Sequence, residues 1–91
     1  MDEEVLMRTC LTQLAALGHS FEELEGYYID VNRNYSSNDW NVEITLEWDT
    51  SYDDWTSAAN CTITDDLKVT KCVLLEKDDE GDVIEKIRYP N

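Results

Sequence analysis

The sequence predicts an α+β fold: an N-terminal helix, plus a short second helical turn, packed on a mostly antiparallel four- to five-stranded sheet. Three observations carry this expectation. Apolar residues recur at three- and four-residue steps over the first 17 positions, the spacing of one helix face. From Tyr27 onward the period shortens to two, the spacing of a strand with one buried side. The two-periodic segments follow one another through short turns, which suits a meander with a helix laid over one face.

The helix spans residues 3–17, where Met7, Cys10, Leu11, Leu14 and Leu17 form the apolar stripe. Asp2, Glu3 and Glu4 complement the positive end of its dipole, and Gly18 stands where a C-terminal cap belongs. Ser20-Phe21-Glu22-Glu23 has the capping-box spacing, so a helical turn is expected from Phe21 to Glu25, closed by Gly26. The first strand alternates Tyr27, Ile29 and Val31 with Tyr28, Asp30 and Asn32. After the polar loop Asn34–Asp39, Trp40, Val42, Ile44, Leu46 and Trp48 alternate with Asn41, Glu43, Thr45 and Glu47. This second strand is expected to turn its apolar set toward the helix. Asp49–Ser57 reads as a polar loop. Further strands are expected over Ala58–Thr64, Lys68–Lys77 and Asp82–Tyr89, with Pro90 and Asn91 as a tail.

A turn at Glu80-Gly81 sets Leu74 opposite Ile87, Cys72 opposite Tyr89 and Leu75 opposite Lys86. A turn at Asp66-Leu67 sets Cys61 opposite Cys72 and Ile63 opposite Thr70. Both registers point Cys72 and Leu74 inward. Val73, Leu75 and Ile84 then face outward beside Lys71, Lys77, Lys86 and Arg88. A one-residue slip reverses such a face.

The chain has 91 residues, enough for one small acidic domain over 1–91. Its 21 acids and 7 bases give a net charge of −14. That balance opposes direct contact with nucleic acid or with anionic membrane surfaces. The N-terminus is acidic, unlike a secretory leader, and apolar runs such as Cys72–Leu75 are far too short to span a membrane. A cytoplasmic location is expected. Cys10, Cys61 and Cys72 are odd in number and widely spaced, which is not a disulfide framework, and there is no Cys-x-x-Cys pair.

The charge is unevenly distributed. Residues 1–67 hold 15 acids against Arg8 and Arg33, a net of −13, whereas residues 68–91 are nearly balanced at −1. Glu43 and Glu47 share the outward face of the second strand, roughly 13 Å apart at the usual rise, and Asp30 lies on the same side. Asp39, Asp49, Asp53 and Asp54 flank that strand. Carboxylates spaced over one sheet face imitate part of a phosphate backbone, which carries one charge per ~1.7 Å of duplex axis. An acidic surface also keeps a small protein soluble. At one net charge per six or seven residues, however, self-repulsion opposes folding, which argues that the charge has a use.

Catalytic chemistry is sparse. His19 is the single histidine, in the turn after Gly18, where a solvent-facing or capping role fits. The cysteines fall on apolar faces and read as small core residues. Lys77–Asp82 is acidic but lacks the alternating ligands and downstream Glu of a calcium loop, and reads as a hairpin tip. No catalytic residue, metal site or cofactor is expected, and the chain is not expected to be an enzyme. The segment Asp49–Ser57 interleaves Tyr52 and Trp55, common anchors of binding hot spots, with Asp49, Asp53 and Asp54. Such a Trp can stack on an arginine while neighbouring carboxylates pair with it, or it can fold back over one edge of the core.

The expected function is that of an acidic protein inhibitor occupying the basic nucleic-acid site of a DNA- or RNA-handling protein. Its candidate contacts are Asp30, Glu43, Glu47, Asp49, Tyr52, Asp53, Asp54 and Trp55. In size, acidity and lack of catalytic residues the chain resembles, as a class, the small inhibitors that phages and mobile elements encode against restriction or CRISPR systems. An immunity protein against a nuclease toxin, similar in size and charge to barstar-type inhibitors, is the alternative. A third reading is a homodimer or adaptor using Val73, Leu75 and Ile84.

Overall fold

The structure, a computed structural model, describes residues 2–21, 26–49 and 54–90, with side chains for all of these except 47–49 and 54. The elements are α1 (Glu3–Ala16), β1 (Tyr27–Asn34), β2 (Asp39–Asp49), β3 (Asp54–Thr64), β4 (Val69–Lys77) and β5 (Val83–Tyr89). The strands form one five-stranded sheet in chain order, each antiparallel to the next. This is the expected α+β meander, with α1 on one face.

Local chemistry sets both ends of α1. The Asp2 carboxylate accepts the backbone N–H of Glu4 at 3.0 Å, satisfying one of the donors a helix start leaves unpaired. At the other end the N–H of Gly18 donates to Ala15 O at 3.1 Å and that of His19 to Leu14 O at 2.9 Å. This is a Schellman closure, and Gly18 accommodates its φ of 102° because it has no Cβ. The buried line on α1 is Leu6, Cys10 and Leu14, with Leu11 and Leu17 packed beside it. Leu6 therefore replaces Met7 at the head of the expected stripe: residues four apart stack along one line of closest approach.

That line meets Val42 and Ile44 from β2, Ala59, Cys61 and Ile63 from β3, and Cys72 and Leu74 from β4. Ile29, Val31, Trp40, Ile87 and Tyr89 pack around them. Val42 and Ile44 are buried as expected, whereas Trp40 and Leu46 are half-buried. A 14-residue helix is only ~21 Å long, too short to cover the whole face of 11-residue strands.

Several expectations need correction. β3 begins at Asp54, not Ala58, so Asp54–Ser57 belongs to a strand rather than to a polar loop. Its pairing with β2 runs through register shifts at Leu46/Glu47 and Glu47/Asp49, and bulges of this kind break the apolar alternation that sequence reading depends on. Ser57 is buried there, and the Thr56 hydroxyl donates to Leu46 O at 3.3 Å. A shift at Thr62/Ile63 sets Ile63 opposite Val69 rather than Thr70. Another at Leu74/Leu75 sets Leu75 opposite Glu85 rather than Lys86, and Ile84 opposite Glu76. By that register Ile84 shares the alternation of Leu74 and Ile87, so it leaves the outward set of Val73 and Leu75. The pairings Cys61–Cys72, Cys72–Tyr89 and Leu74–Ile87 stand as expected. The helical turn expected at Phe21–Glu25 falls largely on residues 22–25, outside the described residues. Among the described residues no helix is long and apolar enough to cross a membrane.

Candidate acidic interface

The sheet face away from α1 is organised in cross-strand rows. One row is Asp30, Glu43, Asn60, Val73 and Arg88, each the Cα partner of the next. The adjacent row is Tyr28, Thr45, Ala58, Leu75 and Glu85. Strands lie ~4.8 Å apart, so the first row grades from carboxylate, through amide and methyl, to guanidinium over ~19 Å. That exceeds the ~8 Å Debye length of physiological salt. Arg88 therefore does not neutralise Asp30 and Glu43.

Asp30 and Glu43 are both exposed and directly opposed. Like charges in that relation are destabilising. The Asn32 amide gives some relief, donating to Asp30 Oδ2 at 3.0 Å. Strands β1 to β3 contain a single base, Arg33, and it is engaged elsewhere. Its guanidinium donates to Asp65 Oδ1 at 2.7 Å and Oδ2 at 3.3 Å, and it lies 5.1 Å from the centroid of the Trp40 ring. The Trp40 indole N–H donates to the same carboxylate at 3.0 Å. Hydrogen bonds from Arg33, then from Trp40, hold the Asp65 carboxyl below its ordinary value of 3.8. This cluster ties the β1–β2 hairpin to the β3–β4 turn. No local pattern signals it, since Trp40 and Asp65 are 25 residues apart.

On the opposite edge, Arg88 Nη2 donates to Glu85 Oε2 at 2.9 Å and Nε to Oε1. The pair holds Glu85 below, and Arg88 above, the ordinary value. Arg8 on α1 is paired with Glu4.

The structure brings together part of the expected contact set. Asp30 and Glu43 form the row just described. Glu47 pairs in register with Trp55, and Asp49 with Asp54, so these four meet at one end of the β2–β3 hairpin; the side chains of Glu47, Asp49 and Asp54 are outside the described set, as are residues Tyr52 and Asp53. Trp55 is half-buried in β3, and the Lys77 ammonium lies 4.5 Å from its ring centroid. The indole thus already carries a cation–π contact within the chain. The Lys77–Asp82 stretch is a hairpin tip: Asp78 Oδ1 accepts the N–H of Glu80 at 2.9 Å and that of Asp82 at 2.8 Å. His19 takes the expected capping role, its N–H on Leu14 O, with its ring half-buried and 4.6 Å from Phe21.

A cleft of about 340 Å³ between α1 and the β3–β4 turn is lined by Val5, Thr9, Thr12, Gln13, Leu67 and Val69, with Arg8 as its one ionisable side chain. Among the described residues no three His, Cys, Asp or Glu side chains are arranged to hold a metal ion. Comparison with protein-family models, with curated proteins and with solved structures returned no match.

Proposed function

We propose that the chain is a non-catalytic acidic inhibitor that occupies the basic nucleic-acid site of a DNA- or RNA-handling protein. The observation that carries this reading is the direct opposition of Asp30 and Glu43 on an exposed face. A solubilising surface has no need to set two carboxylates in register on adjacent strands, where they oppose folding. A partner's Arg and Lys side chains relieve that repulsion and receive carboxylates where phosphates would otherwise sit. Glu47, Asp49, Tyr52, Asp53, Asp54 and Trp55 extend the contact toward the end of the β2–β3 hairpin. The protein acts in the cytoplasm of the cell in which its target works, in the manner of phage-encoded anti-CRISPR or anti-restriction inhibitors.

The immunity-protein reading uses the same surface and differs in its target, a nuclease toxin; a toxin gene adjacent to this one favours it. The homodimer reading draws on Val73 and Leu75, since Ile84 lies on the other alternation of β5.

The test begins with capture of partners on the immobilised protein from lysate at low salt, followed by elution with rising salt. The eluted protein is then bound to a labelled duplex and titrated with free inhibitor. Displacement of the duplex by the parent, and its failure with Glu43→Lys, is expected. Eluted proteins that bind no nucleic acid, or equal displacement by both forms, overturn the reading.

A further inference from the structure

The three cysteines, far apart in sequence, meet in the core. Cys10 comes from the buried line of α1, and Cys61 and Cys72 are cross-strand partners on β3 and β4. All three are free thiols with no solvent exposure. Cys10 Sγ lies 2.6 Å from Cys61 Sγ, across 51 residues of chain, and Cys61 Sγ lies 3.9 Å from the Cys10 carbonyl oxygen. The two sulfurs are therefore already in contact, although they belong to different layers of the fold. Apolar packing alone is met by Ala or Val at such positions and does not call for two sulfurs in contact.

We propose that Cys10 and Cys61 are an oxidation site, which a hydroperoxide converts to a disulfide that bolts α1 to the central strand of the sheet. One sulfur attacks the peroxide and becomes a sulfenic acid, while the O–O bond breaks and the departing oxygen leaves as water, or as an alcohol, with the thiol proton. The second sulfur displaces the sulfenic oxygen as water, carrying its own proton. Two thiols lose two electrons and two protons, and the peroxide is reduced.

The three thiols also perturb one another. The contact with Cys61 lowers the Cys10 thiol, but the neighbouring Cys72 and burial outweigh it and push it up to about 12. Bonds to Cys10 and Cys72, then burial, push Cys61 far up. The neighbouring Cys10 and Cys61 hold Cys72 below the ordinary cysteine value against burial. Cys72 neighbours Cys61 in register and is the competing bridge partner. Because the thiols are buried, the reaction requires α1 to lift from the sheet. Its rate rises in urea below the unfolding transition.

Each cysteine falls on its own tryptic peptide: Thr9–Arg33, Asn34–Lys68 and Cys72–Lys77. The reduced full-length protein is treated with hydrogen peroxide, blocked with an alkylating agent and mapped without reduction. Expected are an intact mass lower by two hydrogens and a linked Thr9–Arg33/Asn34–Lys68 pair. Because the bridge closes a 51-residue separation, the oxidised form should melt about 10 °C higher or more, reversed by dithiothreitol. Cys72→Ala should still form the bridge, whereas Cys10→Ala should not. The map on the parent chain decides the matter even if a variant fails to fold. A Cys61–Cys72 link, sulfinic acid without a link, or unreacted thiols after prolonged exposure would each overturn the proposal.

Discussion

Glu43→Lys should raise stability and weaken binding at once. In the folded protein Glu43 stands opposite Asp30 on β1 and opposite Asn60 on β3. Directly opposed residues place their Cβ atoms ~4.5–5.5 Å apart, and a like-charged pair there is unfavourable by roughly the 0.2–1 kcal/mol that an opposite pair contributes. Reversal exchanges one for the other, a swing of about 1 kcal/mol. In a domain of this size that corresponds to a Tm increase of about 5 °C. The effect is electrostatic between exposed groups, so most of it should vanish in 1 M salt, where the Debye length is ~3 Å. Binding to the basic partner should fall by about 10²-fold in the same variant. The assay is a pair of melting curves at low and high salt beside a binding titration, with Asp30→Asn and the double variant completing a cycle. A variant that melts lower than the parent, or a gain that survives 1 M salt, refutes the cross-strand repulsion. Loss of binding together with loss of fold would remove the support for a functional surface.

Lys71→Glu or Arg88→Glu, on the far side of the sheet, should change binding less than threefold, and a loss as large as that of Glu43→Lys would move the interface to β4 and β5. Ile44→Ala, at a residue 1 % exposed beneath α1, should cost about 2–5 kcal/mol, read as a lower urea midpoint with unchanged slope; a loss under 1 kcal/mol would mean that α1 does not pack there. Asp65→Asn should lower Tm at pH 7 by weakening the Arg33–Trp40 cluster. Its carboxyl titrates below its ordinary 3.8 when folded, so its stabilisation is full above that value and lost as pH falls through the lower folded one. The gap between parent and variant should therefore narrow as pH falls below about 4, and a gap that stays constant through acid titration would refute the ion-pair assignment.

Much of the architecture was legible in one dimension because its signals are local. The step from three-and-four spacing to strict alternation at Tyr27 separates helix from sheet, and Gly18 and Gly81 mark a cap and a turn. The alternation of Trp40 through Trp48 identifies which side of β2 is wet, and with it the outward placement of Glu43. Where alternation failed, the cause is local: at Asp54–Ser57 the buried residue is Ser57 and not an apolar one, at Val83–Lys86 every residue is exposed, and register shifts lie beside both.

Composition and periodicity by themselves determined the fold class, the acidity and its concentration in residues 1–67, and the inward face of most strands. Only the tertiary structure decided who meets whom. That Asp30 opposes Glu43, that Arg33 and Trp40 share the Asp65 carboxylate, that Ile84 departs from Val73 and Leu75, and that Cys10 touches Cys61 are all facts of register or docking. Periodicity assigns a residue to a face, whereas a contact depends on single-residue shifts between strands and on how the helix lies across them. Those are settled by the packing of the whole core, in which residues 51 positions apart compete for the same few ångströms.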